Sequence, residues 1–388
     1  MKSAWRVLLL VLIYAAFISL GLPDSALGVA WPAMRSDWGQ PLEAIGIFSV
    51  IVTICSAISG FASARVLKRL GAGPVVLISC LLTGGAMLGF SLAPSFLWLI
   101  PLAFPFGLGA GSVDAGLNHF VAEHYSSRHM NWLHCCWGIG ATVAPIIMGR
   151  AIAGPGWTSG YRVIAALQLA LAAIFLISLP LWKKENAVPE KSEQELAGRP
   201  RPGSTPRWAA WLGPVLYFVY TAIEFGTGLW AASILVDERG VDKAMAGTFV
   251  SCFYGAITVG RFLTGFIASR VDNRTLTRVG LIVAFCGAIL FALSGSDLPL
   301  SVAALVLLGL GCAPVYPALM HETPRRYDPE TARTVVGRQV AFAYIGGAIV
   351  PPLFGLMAAH IGLWVIMPGV AISAALMLAL SEILNRAT

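Results

Sequence analysis

Charge is scarce in this sequence. Asp, Glu, Lys and Arg make up 12% of its 388 residues, about half of the ~25% usual in soluble domains. A chain so poor in charge cannot cover a water-facing surface, so its solvent is expected to be lipid. No polar stretch is long enough for an ATP-binding domain, and no Gly-x-x-x-x-Gly-Lys-Ser/Thr phosphate loop occurs. Work driven directly by ATP is therefore not expected. No Gly-x-Ser-x-Gly or Ser/His/Asp arrangement stands out, and no haem or iron–sulfur spacing does. Neither an enzyme nor a bound cofactor is expected. The 7 cysteines make no Cys-x-x-Cys or zinc spacing, and all fall in or beside apolar runs, so they read as small core residues. The series His119, His124, His129, His134 steps by five, which does not align side chains on a helix, and no metal site is expected.

What is present is apolar sequence, 57% of the chain, in long runs. A membrane helix needs about 20 apolar residues. Spans are expected near 7–33, 43–64, 74–93, 96–122, 131–153 and 161–182, then near 209–236, 243–269, 277–294, 298–321, 334–359 and 363–384. The segment Met1 to Arg6 with its apolar run resembles a signal peptide, but the run continues to Pro32 and eleven more follow. Between the sixth and seventh runs lies a stretch rich in Lys, Glu, Pro, Gly and Ser, residues 183–207, the composition of a solvated linker. Residues 1–182 and 208–388 are thus expected to be two six-helix units. The fold expected is an all-α membrane protein of twelve spans in two pseudo-symmetric bundles.

Net charge is +7, but the basic residues cluster between apolar runs, a topology signal and not a nucleic-acid face. Of the 26 Lys and Arg residues, only Arg35, Arg150, Arg162, Arg239 and Lys243 lie on the side opposite the N-terminus. Cytoplasmic loops carry the excess of Lys and Arg. Both termini and the linker are therefore expected in the cytoplasm, and the protein in the inner or plasma membrane.

The halves repeat. Gly60-Phe61 through Lys68-Arg69 is echoed by Gly265-Phe266 through Asn273-Arg274. Ile139-Gly140, Pro145 and Gly149 are echoed by Ile345-Gly346, Pro351 and Gly355, and Gly107-Leu108-Gly109 by Gly309-Leu310-Gly311. Parallel repeats place a solute site at the interface between the halves, near the bilayer midplane.

Gly60, Arg65, Lys68 and Arg69 resemble the loop signature of the major facilitator superfamily, Gly-x-x-x-Asp-Arg/Lys-x-Gly-Arg-Arg. Ala64 and Ser269 stand where the usual acid would be, and Leu67 replaces a glycine, so a gating contact through that acid is not expected. Gly21-Leu22-Pro23-Asp24, Asp114-Ala115-Gly116-Leu117-Asn118, and Asn131-Trp132-Leu133-His134 with Gly138 and Gly140 resemble the fucose/glucose/galactose permease branch, which includes sodium-dependent glucose transporter relatives. The resemblance implies that Asp24 and Asp114 serve proton coupling and sugar binding, Asp114 standing where the fucose type has Glu.

Charged side chains within the bilayer are costly and usually face a cavity. Asp24 follows Pro23, which removes a backbone donor and is expected to open the first helix; an acid capping a broken helix is the plainer reading. Asp114 and Asn118 share a helix face, with Gly107 and Gly111 on it as packing residues. His134 is expected at the start of the fifth helix, as a proton relay or a capping group. Glu224 lies mid-span, and Gly226-Thr227-Gly228 is expected to loosen that helix. Trp230 offers an aromatic face for a pyranose or an interfacial anchor. Gln339 and Tyr344 are candidates to hydrogen-bond sugar hydroxyls, with helix glue as the plainer reading. Arg261 is expected to snorkel toward the interface.

The candidate solute-binding residues are Asp24, Asn118, His134, Glu224, Trp230, Gln339 and Tyr344, and the candidate proton-coupling residues Asp114, Asp24 and Glu224. The expectation is a secondary transporter, a monomer that takes a monosaccharide together with a coupling cation, the proton before sodium. Two alternatives stay open: a proton-driven exporter of amphipathic compounds, and a non-transporting membrane sensor.

Overall fold

The computed structural model describes residues 2–124, 127–185, 206, 208–267 and 270–388. They form twelve long helices: α1 (Lys2–Trp38), α2 (Ile45–Leu70), α3 (Ala72–Leu92), α4 (Leu99–His124), α5 (Ser127–Ala153), α6 (Trp157–Glu185), α7 (Ala209–Ser233), α8 (Lys243–Ile267), α9 (Asn273–Leu293), α10 (Leu298–Arg326), α11 (Pro329–Ile361) and α12 (Ile366–Ala387). Among the described residues, twelve helices are long and apolar enough to cross a membrane. Lipid offers no hydrogen bonds, so each crossing segment must satisfy its backbone internally, which a helix does.

Among the described residues, the connections within each half are short and follow the local chemistry. Gly71 alone joins α2 to α3 at φ +81, a conformation open to glycine without a Cβ clash. The 74–122 stretch breaks at Ala93-Pro94-Ser95 as its sequence implies. Asp272 and Asp297 cap α9 and α10, accepting from the backbone N–H of Thr275 at 3.1 Å and of Leu300 at 3.0 Å. α6 runs to Glu185, beyond the expected end of its span; residues 186–205 and 207 of the expected linker lie outside the described residues.

Two expected breaks are absent. α1 continues through Pro23 and Pro32 as one helix, because neighbouring helices at membrane depth can tolerate a missing donor. α7 likewise runs unbroken through Gly226-Thr227-Gly228. Those glycines serve close packing: a methyl group added at Gly226 would meet Phe354, and one at Gly228 the Tyr254 hydroxyl. A five-residue π-helical turn, Ile234–Glu238, follows α7 instead. His134 lies two turns into α5 and does not open it.

The repeat is realised in packing. Gly107 of α4 lies against the α2 backbone at Val52, and Gly309 of α10 against α8 at Phe253. Gly109 packs on α3 at Ser79, and Gly311 on α9 at Ala284. Gly140 of α5 meets the α1 backbone at Ile18, and Gly346 of α11 meets α7 at Phe218. Small residues let helix backbones approach closely, the main source of helix affinity in lipid. Between the halves, α1 meets α7, α2 meets α11 and α5 meets α8, a set that maps onto itself when the halves exchange. Cys55, Cys80 and Cys312 are buried as expected of core residues, whereas Cys286 is exposed on the outside of the bundle.

Close backbone approaches between the halves lie toward the end where α1 turns into α2. A Cβ at Gly28 would strike the backbone of Gly228 and Leu229, and one at Gly247 would lie 2.7 Å from the Pro145 carbonyl. At that same end Arg35 pairs with Asp237 at 2.6 Å.

Candidate functional site

A central cavity of about 340 Å³ lies between the halves, within the size range of small-molecule sites. α1 contributes Asp24, α4 Asp114 and Asn118, α5 His134 and Trp137, α7 Glu224, α8 Arg261 and α11 Tyr344. Phe17, Phe48, Phe106, Tyr220, Tyr254 and Tyr316 supply much of the wall.

Each acid has a defined set of partners. The Trp137 indole N–H donates to Asp24 Oδ2 at 2.8 Å, tying α5 to α1. Asp24 is nonetheless exposed to the cavity. Asn118 Nδ2 donates to Asp114 Oδ1 at 2.9 Å, the four-residue spacing bringing the two heads together. Asn118 Oδ1 is buried without a partner. The Tyr344 hydroxyl reaches Asp114 Oδ2 at 3.4 Å from the opposite half. Glu224 is buried, and Arg261 Nη2 lies 3.3 Å from its Oε2 and 3.4 Å from its Oε1. The Arg261 guanidinium lies 5.3 Å from the centre of the Trp137 ring, whose N–H serves Asp24.

Asp24, Asp114, Asn118, His134, Glu224 and Tyr344 are thus brought together as sequence-based candidates. Trp230 and Gln339 are not among the cavity residues. Trp230 is fully buried and donates to the Pro351 carbonyl at 2.8 Å, holding α7 to α11. Gln339 Nε2 donates to Thr323 Oγ1 at 3.0 Å, joining α11 to α10. Arg261 departs from the snorkelling expectation. α8 continues to Ile267, so Arg261 lies well inside the helix end, with a side chain only 10% exposed and paired with Glu224. A sequence signal for it exists: a buried acid such as Glu224 calls for a cation at similar depth. Trp137 and Tyr254 were not singled out by sequence. They meet edge to face across the interface of α5 and α8, with ring centres 6.3 Å apart.

Acids, an amide, a guanidinium and aromatic faces around one solute-sized space can bind a hydroxylated solute and a cation. Groups from both halves share that space, and Tyr344 and Asp114 meet across it. Twelve membrane helices enclosing such a cavity define a transporter of small solutes. The chain belongs to the Major Facilitator Superfamily, whose family pattern it matches over residues 13–351. It is 24% identical to the glucose/mannose transporter GlcP of Bacillus subtilis, over 88% of this chain and 86% of that one. It is 23% identical to the cis,cis-muconate transport protein of Acinetobacter baylyi, over 95% of this chain and 92% of that one. Its fold superposes on a D-xylose–proton symporter with a TM-score of 0.75 at 13% identity, covering 96% of this chain and 97% of that one.

Proposed function

We propose that the protein is a proton-coupled symporter of a small polar solute, such as a monosaccharide, working by alternating access. The observation that carries the reading is that Asp24 and Asp114 face one cavity, each held by neutral donors, Trp137 for one and Asn118 and Tyr344 for the other. A carboxylate with neutral partners can take up a proton without breaking an ion pair. Once neutral, it costs less to carry through an occluded state. Polar groups and aromatic faces around it suit a polyhydroxylated ring.

The reading divides the chain into an N-terminal bundle of residues 1–182, a cytoplasmic linker of 183–207 and a C-terminal bundle of 208–388. Both termini face the cytoplasm of a cell whose inner or plasma membrane holds the protein, as the distribution of Lys and Arg supports. On that orientation the close approaches at Gly28, Gly247 and Arg35 seal the outer face. Solute and proton then leave inward, and the halves rock about the cavity to reopen outward. One charge moving down ~150 mV yields ~3.5 kcal/mol, enough for about a 300-fold solute gradient.

The test is uptake of a labelled monosaccharide panel into proteoliposomes, with a proton or a sodium gradient imposed and then collapsed. Accumulation of a sugar that disappears with the proton gradient supports the reading. Accumulation that follows sodium alone, or none under either gradient, refutes it.

A further inference from the structure

We propose that Arg261 is a carboxylate-binding subsite of the central cavity, and that the solute is a sugar acid whose carboxylate takes the place of Glu224 on the guanidinium. This deepens the symport reading and rests on it, because it names the solute class of the same cavity.

The geometry of the pair motivates the inference. Among the Arg–Glu pairs of the described residues, two differ in kind. Arg278 grips Glu382 as a fork, Nε to Oε1 at 2.8 Å and Nη2 to Oε2 at 2.7 Å. Arg261 offers Glu224 only Nη2, at 3.3 Å and 3.4 Å, and its Nε is buried with no partner. An unpaired buried donor is rare and asks for an explanation. The better-formed pair is the more exposed one, with side chains 45% and 29% accessible against 10% and 4%. A pair serving only stability would close its fork where water cannot compete, because a buried pair offsets its desolvation cost only with good geometry. The Nε/Nη edge of a guanidinium matches a carboxylate through two parallel hydrogen bonds. In Arg261 half of that edge is unused, and the residue lines the solute cavity.

The rest of the cavity suits the remainder of such a molecule. Asp24, Asp114 and Asn118 present acceptors and donors to hydroxyl groups. The Trp137 face lies beneath the guanidinium and keeps it in the cavity. Arg261 and Glu224 belong to the same half, on α8 and α7, so the exchange of partners needs no movement between halves.

The exchange balances in charge. Before binding, the Arg261 cation faces the Glu224 anion. Afterwards the solute carboxylate accepts from Arg261 Nε and Nη2, and Glu224, left without its cation, takes one proton. The proton on Glu224 offsets the charge of the anion, so the exchange at this subsite adds no net charge beyond the proton taken by Asp24 or Asp114. Tyr220 on α7, Tyr254 on α8, Cys312 and Tyr316 on α10 and Asp24 on α1 also face Glu224, while His134 on α5 faces Arg261. Asp24 and His134 are other sources of a pH response, so the test must isolate Glu224.

The test is binding to the purified full-length protein in nanodiscs, followed by tryptophan fluorescence. The probes are glucuronate and galacturonate, with glucose and galactose as their neutral counterparts. Wild type is expected to bind one uronate at least tenfold more tightly than its neutral counterpart, by about the gain of a charge-assisted fork. Uptake of one proton with the anion makes that affinity fall by about tenfold per pH unit on the alkaline side. Glu224→Gln should flatten this slope, and Arg261→Gln should abolish the uronate preference. The double variant R261Q/E224Q leaves no lone buried charge, and its thermal melting shows whether loss of binding reflects unfolding. Tighter binding of a neutral sugar, with the preference unaltered in Arg261→Gln, overturns the subsite and leaves the symport reading intact. Binding and vesicle uptake of neither class overturn both.

Discussion

The contact between Arg35 and Asp237 should act as a latch on the closed end of the bundle. Each partner stands on a braced platform. Next to Arg35, Asp37 accepts from the Trp157 indole at 2.7 Å, and Trp38 meets Trp157 edge to face with ring centres 5.0 Å apart, fixing the end of α1 to α6. Next to Asp237, Arg239 lies 3.9 Å above the Phe291 ring and donates to Ser294 at 2.8 Å, fixing the end of α7 to α9 and the loop after it. The pair spans the two halves at 2.6 Å with both side chains 25% exposed. It cannot survive separation of the halves at that end. An exposed pair contributes about 0.2–1 kcal/mol; the short distance and braced platforms place this one near the top of that range. Loss of about 1 kcal/mol shifts the closed-to-open ratio by about fivefold. The assay is labelling of a cysteine introduced at Leu27, in a background without native cysteines, by an impermeant thiol reagent added from the α1–α2 side. Arg35→Gln and Asp237→Asn should each speed labelling by about that factor, and the reversed pair R35D/D237R should restore it. Unchanged rates in both single variants would refute the latch.

Other sites give sharper or blander outcomes. Asp114→Asn should abolish accumulation driven by a proton gradient while exchange of labelled for unlabelled solute continues, read by counterflow. Trp137→Phe keeps a ring beneath Arg261 but removes the N–H that serves Asp24 at 2.8 Å; solute affinity should fall by about tenfold, the value of a hydrogen bond to a charged group. Trp230→Phe loses the bond to the Pro351 carbonyl, costing about 1 kcal/mol of stability, yet solute selectivity should stay as it is because Trp230 lies outside the cavity. Gly28→Val should lower activity at least tenfold, because its side chain would collide with the α7 backbone and prop that end open.

Much of this architecture is legible in the sequence because lipid imposes a simple rule. A stretch of about 20 apolar residues must be a helix, so counting runs counts helices. Intramembrane acids are legible for the same reason: Asp24, Asp114 and Glu224 are costly anywhere but at a cavity, and the structure brings all three to one. Legibility fails where rotation decides. Trp230 and Gln339 lie on polar-capable stretches of α7 and α11, yet their helices turn them toward neighbouring helices. Trp137 stands on the α5 face that meets α1, in Cys-Cys-Trp-Gly, where sequence gives no reason to prefer a cavity over packing. Arg261 lies within the last turns of its span, where a long basic side chain commonly reaches the interface, and only its pairing with Glu224 across to α7 reveals that it turns inward. Proline and glycine mislead in the opposite direction. In water Pro23 and Gly226-Thr227-Gly228 would weaken a helix, but within a bundle their missing atoms admit a neighbouring helix.

The most direct measurement of the central claim is proton movement caused by the solute itself. Proteoliposomes loaded with a pH-sensitive dye, with no imposed gradient, are given each monosaccharide and uronate in turn. Coupled entry predicts prompt acidification of the lumen on addition of the transported solute, lost in Asp114→Asn. Entry of labelled solute with no change in luminal pH would contradict proton symport.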